Sequence, residues 1–86
     1  MYKYEEQKPE IFKEENQKMF LEIRERAHKL INNSGAAMLG NIIQGVCGNS
    51  FTMLACVDRL VELNEIYEVQ QIGYISGQNR IFIKNN

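Results

Sequence analysis

The chain has 86 residues and a mass of 10.0 kDa, enough for one small domain with a single modest core and no second lobe. Hydrophobic residues make up 44% and charged residues 24%, which excludes wholesale disorder. The formal charge is −1, so no global basic field draws in nucleic acid or an anionic membrane.

Taken from the start, residues 1–9 are polar and charged and read as a flexible arm, with Tyr2 and Tyr4 as its possible anchors. Pro9 suits the first turn of a helix, and Glu10 after it suits the positive helix end. From there Phe12, Met19, Phe20, Ile23, Ala27, Leu30 and Ile31 recur at helical spacing. A long first helix is expected over about 10–32, with Gly35 as its left-handed cap. Its charged face pairs Lys18 with Glu22 and Glu22 with Arg26. Such a helix overreaches a core of this size. Ile11, Phe12, Met19 and Phe20 on it are the expected interface of a homodimer, which would bury them. The alternative is that Ile11 and Phe12 fold back over the third helix and cover Phe51 and Leu54.

Leu39, Ile42, Ile43 and Val46 predict a second helix over about 37–47, weakened by Gly40 and Gly45. Gly48-Asn49 makes a turn, and Ser50 is the expected N-cap of a third helix over about 50–63 with Met53, Val57 and Leu60 as its apolar stripe. Asn64 suits a left-handed cap. Ile66 to Ile72 and Asn79 to Lys84 then read as two strands of a hairpin around Gly73 to Gly77, spanning about 66–84 in all.

No chemistry-bearing constellation emerges. Cys47, Cys56 and His28 number three, short of the four ligands of a structural zinc site, and the cysteines read as free thiols. Gly40-Asn-Ile-Ile-Gln-Gly45 has the glycine spacing of a phosphate loop, but Val46 and Cys47 stand where Lys-Ser/Thr is required. The carboxylate pairs Glu5–Glu6 and Glu14–Glu15 lie in charge-balanced surface segments. No catalytic residue, metal or cofactor is expected. The N-terminus lacks the apolar run of a signal peptide. The uncharged stretch from Leu30 to Val57 is interrupted by Asn32, Asn33, Ser34, Asn41, Gln44 and glycines. A cytoplasmic protein without a membrane span is the expectation.

Helix, helix, tight turn, helix, hairpin is the order of a winged helix-turn-helix. The stretch Ser50-Phe-Thr-Met-Leu-Ala-Cys-Val-Asp-Arg-Leu-Val-Glu-Leu-Asn-Glu-Ile66 resembles the third helix and exit of that superfamily, and Gly77-Gln-Asn-Arg-Ile-Phe-Ile83 resembles its returning wing strand in small bacterial or phage-type proteins. The resemblance implies an α+β fold of three helices and a two-stranded wing behind an extended N-terminal helix, and a short strand before the second helix, for which Ala36–Met38 is the candidate.

It also implies a DNA-binding protein or transcriptional regulator. Asn49, Ser50, Thr52 and Arg59 of the third helix, with Gln78, Asn79, Arg80 and Lys84 of the wing, would then face double-stranded DNA. Charge argues the other way. Residues 34–86 hold three basic side chains (Arg59, Arg80, Lys84) against four acidic ones (Asp58, Glu62, Glu65, Glu68), a net of 3 − 4 = −1. Phe51 and Leu54 near the reading surface suit a protein partner better. The second reading is therefore a protein-interaction or dimerisation module; independently of either function, Arg80 is also read as a strand-face ion-pair partner of Asp58.

Overall fold

The computed structural model describes residues 1–69 and 80–85. Four helices and a small antiparallel sheet follow in the order α1 (Tyr4–Ile11), α2 (Glu14–Ser34), β1 (Ala36–Met38), α3 (Leu39–Ile43), α4 (Ser50–Glu62), β2 (Ile66–Glu68) and β3 (Ile81–Lys84). The fold is α+β. Among the described residues no helix is long and apolar enough to cross a membrane.

The expected arm is largely helix, and the expected long helix is two. Tyr4–Ile11 is helical with Pro9 in its interior, and the chain bends at Phe12 and Lys13 before α2 begins. No glycine or proline stands at this bend. Tertiary contact imposes it, because α1 turns back and lies along α4. Beyond the bend, α2 behaves as its periodicity demands. Met19, Ile23, Ala27 and Ile31, each four residues from the last, form its buried stripe. Gly35 ends it in the left-handed conformation (φ 83°), its N–H bonded to the Ile31 carbonyl at 2.7 Å.

The segment expected as a helix over 37–47 divides. Ala36–Met38 is a strand, and helix remains only at Leu39–Ile43. Gln44 is extended (ψ 126°) and Gly45 has φ 77°, so the backbone leaves the helix before Val46. The strand wins its residues because β3 offers it a partner: Ala36, Ala37 and Met38 face Ile83, Phe82 and Ile81. On the other side of β3, Ile66, Tyr67 and Glu68 of β2 face Lys84, Ile83 and Phe82. Among the described residues the sheet thus has three strands in the order β1-β3-β2, not the two expected of a hairpin alone. The strand expected over 66–72 is seen at Ile66–Glu68, and the expected turn at 73–77 lies outside the described residues.

Residues from every layer meet in one core. Ile23, Leu39, Ile42, Val57, Leu60, Ile66 and Phe82 are its largest fully buried apolar side chains. In β3 the Phe82 side turns inward, while Ile81 and Ile83 stay half-buried. Gly48, at φ 134°, lets the Met19 methyl group close over the turn before α4, where a Cβ would collide with it. Behind α4, Asn64 takes the left-handed conformation (φ 61°), as its place after the helix predicts. Glu65 then ties this corner to α2. Its Oε1 accepts from Arg24 Nε and from His28 Nε2, both at 2.8 Å. Burial works against the Glu65 charge, but these two donors outweigh it and hold its carboxyl below the ordinary range.

Candidate functional site: the outer face of the fourth helix

α4 is covered on two opposite sides, fully by the core on one and in part by the N-terminal segment on the other. Its inner side carries Met53, Cys56, Val57 and Leu60 into the core. Its outer side carries Phe51, Ala55, Asp58 and Glu62, spaced at four, three and four, with Arg59 at the margin. The N-terminal segment lies against this side. Ala55 is fully buried, and so small a side chain in the middle of the face leaves room for a second helix.

The contacts across this seam are specific. Tyr2 Oη donates to Asp58 Oδ2 at 2.7 Å, and its ring tilts against Phe51 with centroids 5.9 Å apart. Tyr4 Oη donates to Glu62 Oε1 at 2.8 Å. Lys8 Nζ reaches the same carboxylate at 3.0 Å, and Arg59 Nη1 approaches it at 2.6 Å. Arg59 also lies over the Phe12 ring, 5.3 Å from its centroid. Hydrogen bonds from Arg59, Tyr4 and Lys8 lower the Glu62 carboxyl to about 2. Both tyrosine hydroxyls are pushed well above their ordinary range, first by burial and then by their bonds to Asp58 and Glu62. They remain protonated donors.

A second cluster borders the first. The Arg80 guanidinium donates to Glu68 through Nε (2.9 Å) and Nη2 (2.7 Å), and to Asp58 Oδ1 through Nη2 (2.7 Å). It sits 5.2 Å from the centroid of the buried Phe82 ring. Its proton is held firmly, chiefly by the bonds to Glu68, against the opposing effect of burial, with Asp58 adding to the hold. Asp58 thus joins Tyr2, Arg80 and, through Arg80, the sheet.

These contacts decide where the residues proposed for DNA stand. Asn49 is the N-cap of α4, a role the sequence reading gives to Ser50. Its Oδ1 accepts from the N–H groups of Phe51 (2.8 Å) and Thr52 (3.3 Å). Ser50 is exposed as the first residue of the helix, and Thr52 is buried. Arg59 and Arg80 are held by carboxylates, Arg80 by Asp58 in the ion pair that the sequence offered as its structural role. Lys84 is exposed at the end of β3. Gln78 and Asn79 lie outside the described residues.

The four residues expected at a dimer interface are split. Ile11 and Met19 are buried within the protomer's own core, and Phe20 packs half-buried against it. Phe12 remains 55% exposed. Ile11 and Met19 therefore cannot form an exposed stripe while α1 is docked on α4. Of the two cysteines, Cys47 is exposed and Cys56 buried, and neither is in a disulfide. Burial pushes the Cys56 thiol up to about 11.

Tyr2, Tyr4, Lys8, Asp58 and Glu62 carry the seam; sequence reasoning offered Tyr2 and Tyr4 as anchors of the arm and a fold-back of Ile11 and Phe12 onto this helix, but gave Lys8 and Glu62 no part in it. A faint signal is present. Tyr4 and Lys8 are four apart, as are Asp58 and Glu62, so each pair lies on one face of its helix, with donors on one side and acceptors on the other. No family model, curated protein or solved structure matches this chain.

Proposed function

We propose that this chain is a protein-interaction module of winged-helix type, in which the outer face of α4 receives a helix and not a DNA groove. The winged-helix reading is supported by the run of elements from α2 to β3, with a short strand before the middle helix that pairs with the last strand. The interaction reading rests on one observation. The acceptors at the centre of the outer face are carboxylates, Asp58 and Glu62, and they take hydroxyl and ammonium donors from the N-terminal segment, Tyr2 ahead of α1 and Tyr4 and Lys8 within it. A phosphate backbone requires the opposite sign, and the nearby Arg59 and Arg80 are already neutralised by acidic partners. No enzymatic role is part of this proposal.

The test is a fluorescence titration of the full chain against a mixed-sequence DNA duplex in low salt. No saturable binding is expected. A duplex complex that weakens steeply with salt, with a slope that falls by roughly one on Arg59→Ala or Arg80→Ala, would return the chain to the DNA-binding regulators.

A further inference from the structure

The bend between α1 and α2 is built from residues that would as readily continue a helix. Phe12 keeps right-handed helical angles (φ −85°, ψ −3°), and the departure falls on Lys13 (φ −70°, ψ 140°). In an unbroken helix the carbonyls of Glu10 and Ile11 would accept from the N–H groups of Glu14 and Glu15. Here the Glu10 carbonyl accepts from Asn16 Nδ2 at 2.8 Å and from the Lys13 N–H at 3.3 Å, and the Ile11 carbonyl accepts from Gln17 Nε2 at 3.0 Å. Gln17 thus stands in for the backbone donor that the bend takes from Ile11, and Asn16 shares that part at Glu10 with the Lys13 N–H. Bent and straight forms satisfy the same two carbonyls, so neither leaves them orphaned.

Straightening also changes the place of Phe12. In a continuous helix it falls two turns before Met19, on the stripe of Met19, Ile23 and Ala27. In the bent form it is 55% exposed. A straight helix from Tyr4 to Ser34 would have 31 residues and a length of about 46 Å, carrying α1 away from its own α4.

We propose that the partner on the outer face of α4 is α1 of a second copy of this chain: Lys13 straightens, and two protomers exchange α1 about a two-fold axis. The surface complementary to α1 is already known, because α1 occupies it within the protomer. Tyr2 on Asp58, and Tyr4 and Lys8 on Glu62, would re-form between chains. This inference rests on α4 being a helix-receiving surface and adds the identity of the helix.

Lys8 and Glu62 supply the assay, since their charged atoms lie 3.0 Å apart and a carbodiimide joins such a pair directly as an amide. Equal amounts of isotopically heavy and light full-length chain are refolded together at millimolar concentration. Monomer and dimer fractions are separated, cross-linked and digested. In the dimer, half of the Lys8–Glu62 linked peptides are expected to join a heavy chain to a light one; in the monomer, none. Lys13→Gly should weaken the dimer about 25-fold, since a glycine inside each of two helices costs roughly a factor of five. Lys13→Ala, which removes the same ion pair with Glu10 but keeps a helix former, should leave it intact. Asn16→Ala with Gln17→Ala removes the stand-in donors of the bent form and should tighten it. Linked peptides that stay within one isotope in the dimer, a chain that is monomeric at millimolar concentration, or hinge variants without these opposite effects would each overturn the exchange. Monomeric behaviour without DNA binding would leave the helix-receiving reading in place, whereas duplex binding would overturn that reading and not the isotope result.

Discussion

Arg80→Ala removes the guanidinium from between Asp58 and Glu68 and leaves two carboxylates that were brought together around it. Three charge-assisted hydrogen bonds disappear, each between 2.7 and 2.9 Å. The side chains of Arg80 and Asp58 are 22% and 18% exposed, so water enters only in part to replace them. Removing one partner of a fully buried pair costs about 3–5 kcal/mol. With about a fifth of each side chain wetted, and with Glu68 more open, the expected loss is about 2–3 kcal/mol. For a domain of this size that lowers Tm by roughly 10–20 °C. Thermal unfolding followed by far-UV circular dichroism measures the shift, and urea titration gives the free energy. Asp58→Asn combined with Arg80→Gln should cost less than the sum of the two single changes, since the pair is lost as a unit. A Tm within a few degrees of the parent, or strict additivity in the double variant, would show that Arg80 is not structural and would reopen its assignment to a phosphate-binding wing.

Asn49→Ala should lower stability by about 1 kcal/mol through loss of the two cap bonds, while Ser50→Ala changes it little; equilibrium urea unfolding separates the two. Glu62 is held low in the folded chain, so its contribution is present above its ordinary value of 4.5 and is lost as pH falls through about 2. Wild type should therefore exceed Glu62→Gln in stability at neutral pH, and the two urea curves should converge as the pH is lowered across that window. A gap that stays constant would refute the Glu62 anchor. Cys47 should react at once with a thiol reagent at mildly alkaline pH, whereas Cys56 should react only on unfolding, which mass spectrometry of the labelled chain reads directly.

The stripe Met19, Ile23, Ala27, Ile31 and the stripe Met53, Val57, Leu60 were legible in the sequence because each repeats at the helical period and needs no knowledge of its partner. The caps at Gly35 and Asn64 were legible for a similar reason: the left-handed backbone narrows the choice of residue. Other features depend on competition between equals. Asn49 and Ser50 are both good N-caps, and the turn around Gly48 decides which of them receives the amides of Phe51 and Thr52. Ala36–Met38 has no strong strand-forming bias of its own; the winged-helix resemblance alone singled it out as a strand, and it is extended because the edge of β3 is there to pair with it.

The site divides along the same line. Net charge over residues 34–86 already argued against a phosphate-binding surface, since charge is counted without geometry. What occupies α4 could not be counted in that way. Ile11-Phe12-Lys13-Glu14 contains no helix breaker, so local propensity extends the helix straight through it. The bend exists because Tyr2, Tyr4, Lys8 and Ile11 gain more by meeting α4, some 50 residues away in sequence, than Lys13 loses by leaving the helix. Helical periodicity is a property of neighbours along the chain and is written in any single segment. The closure of α1 onto α4 is a property of two distant surfaces, and it arises only when the fold has brought them together.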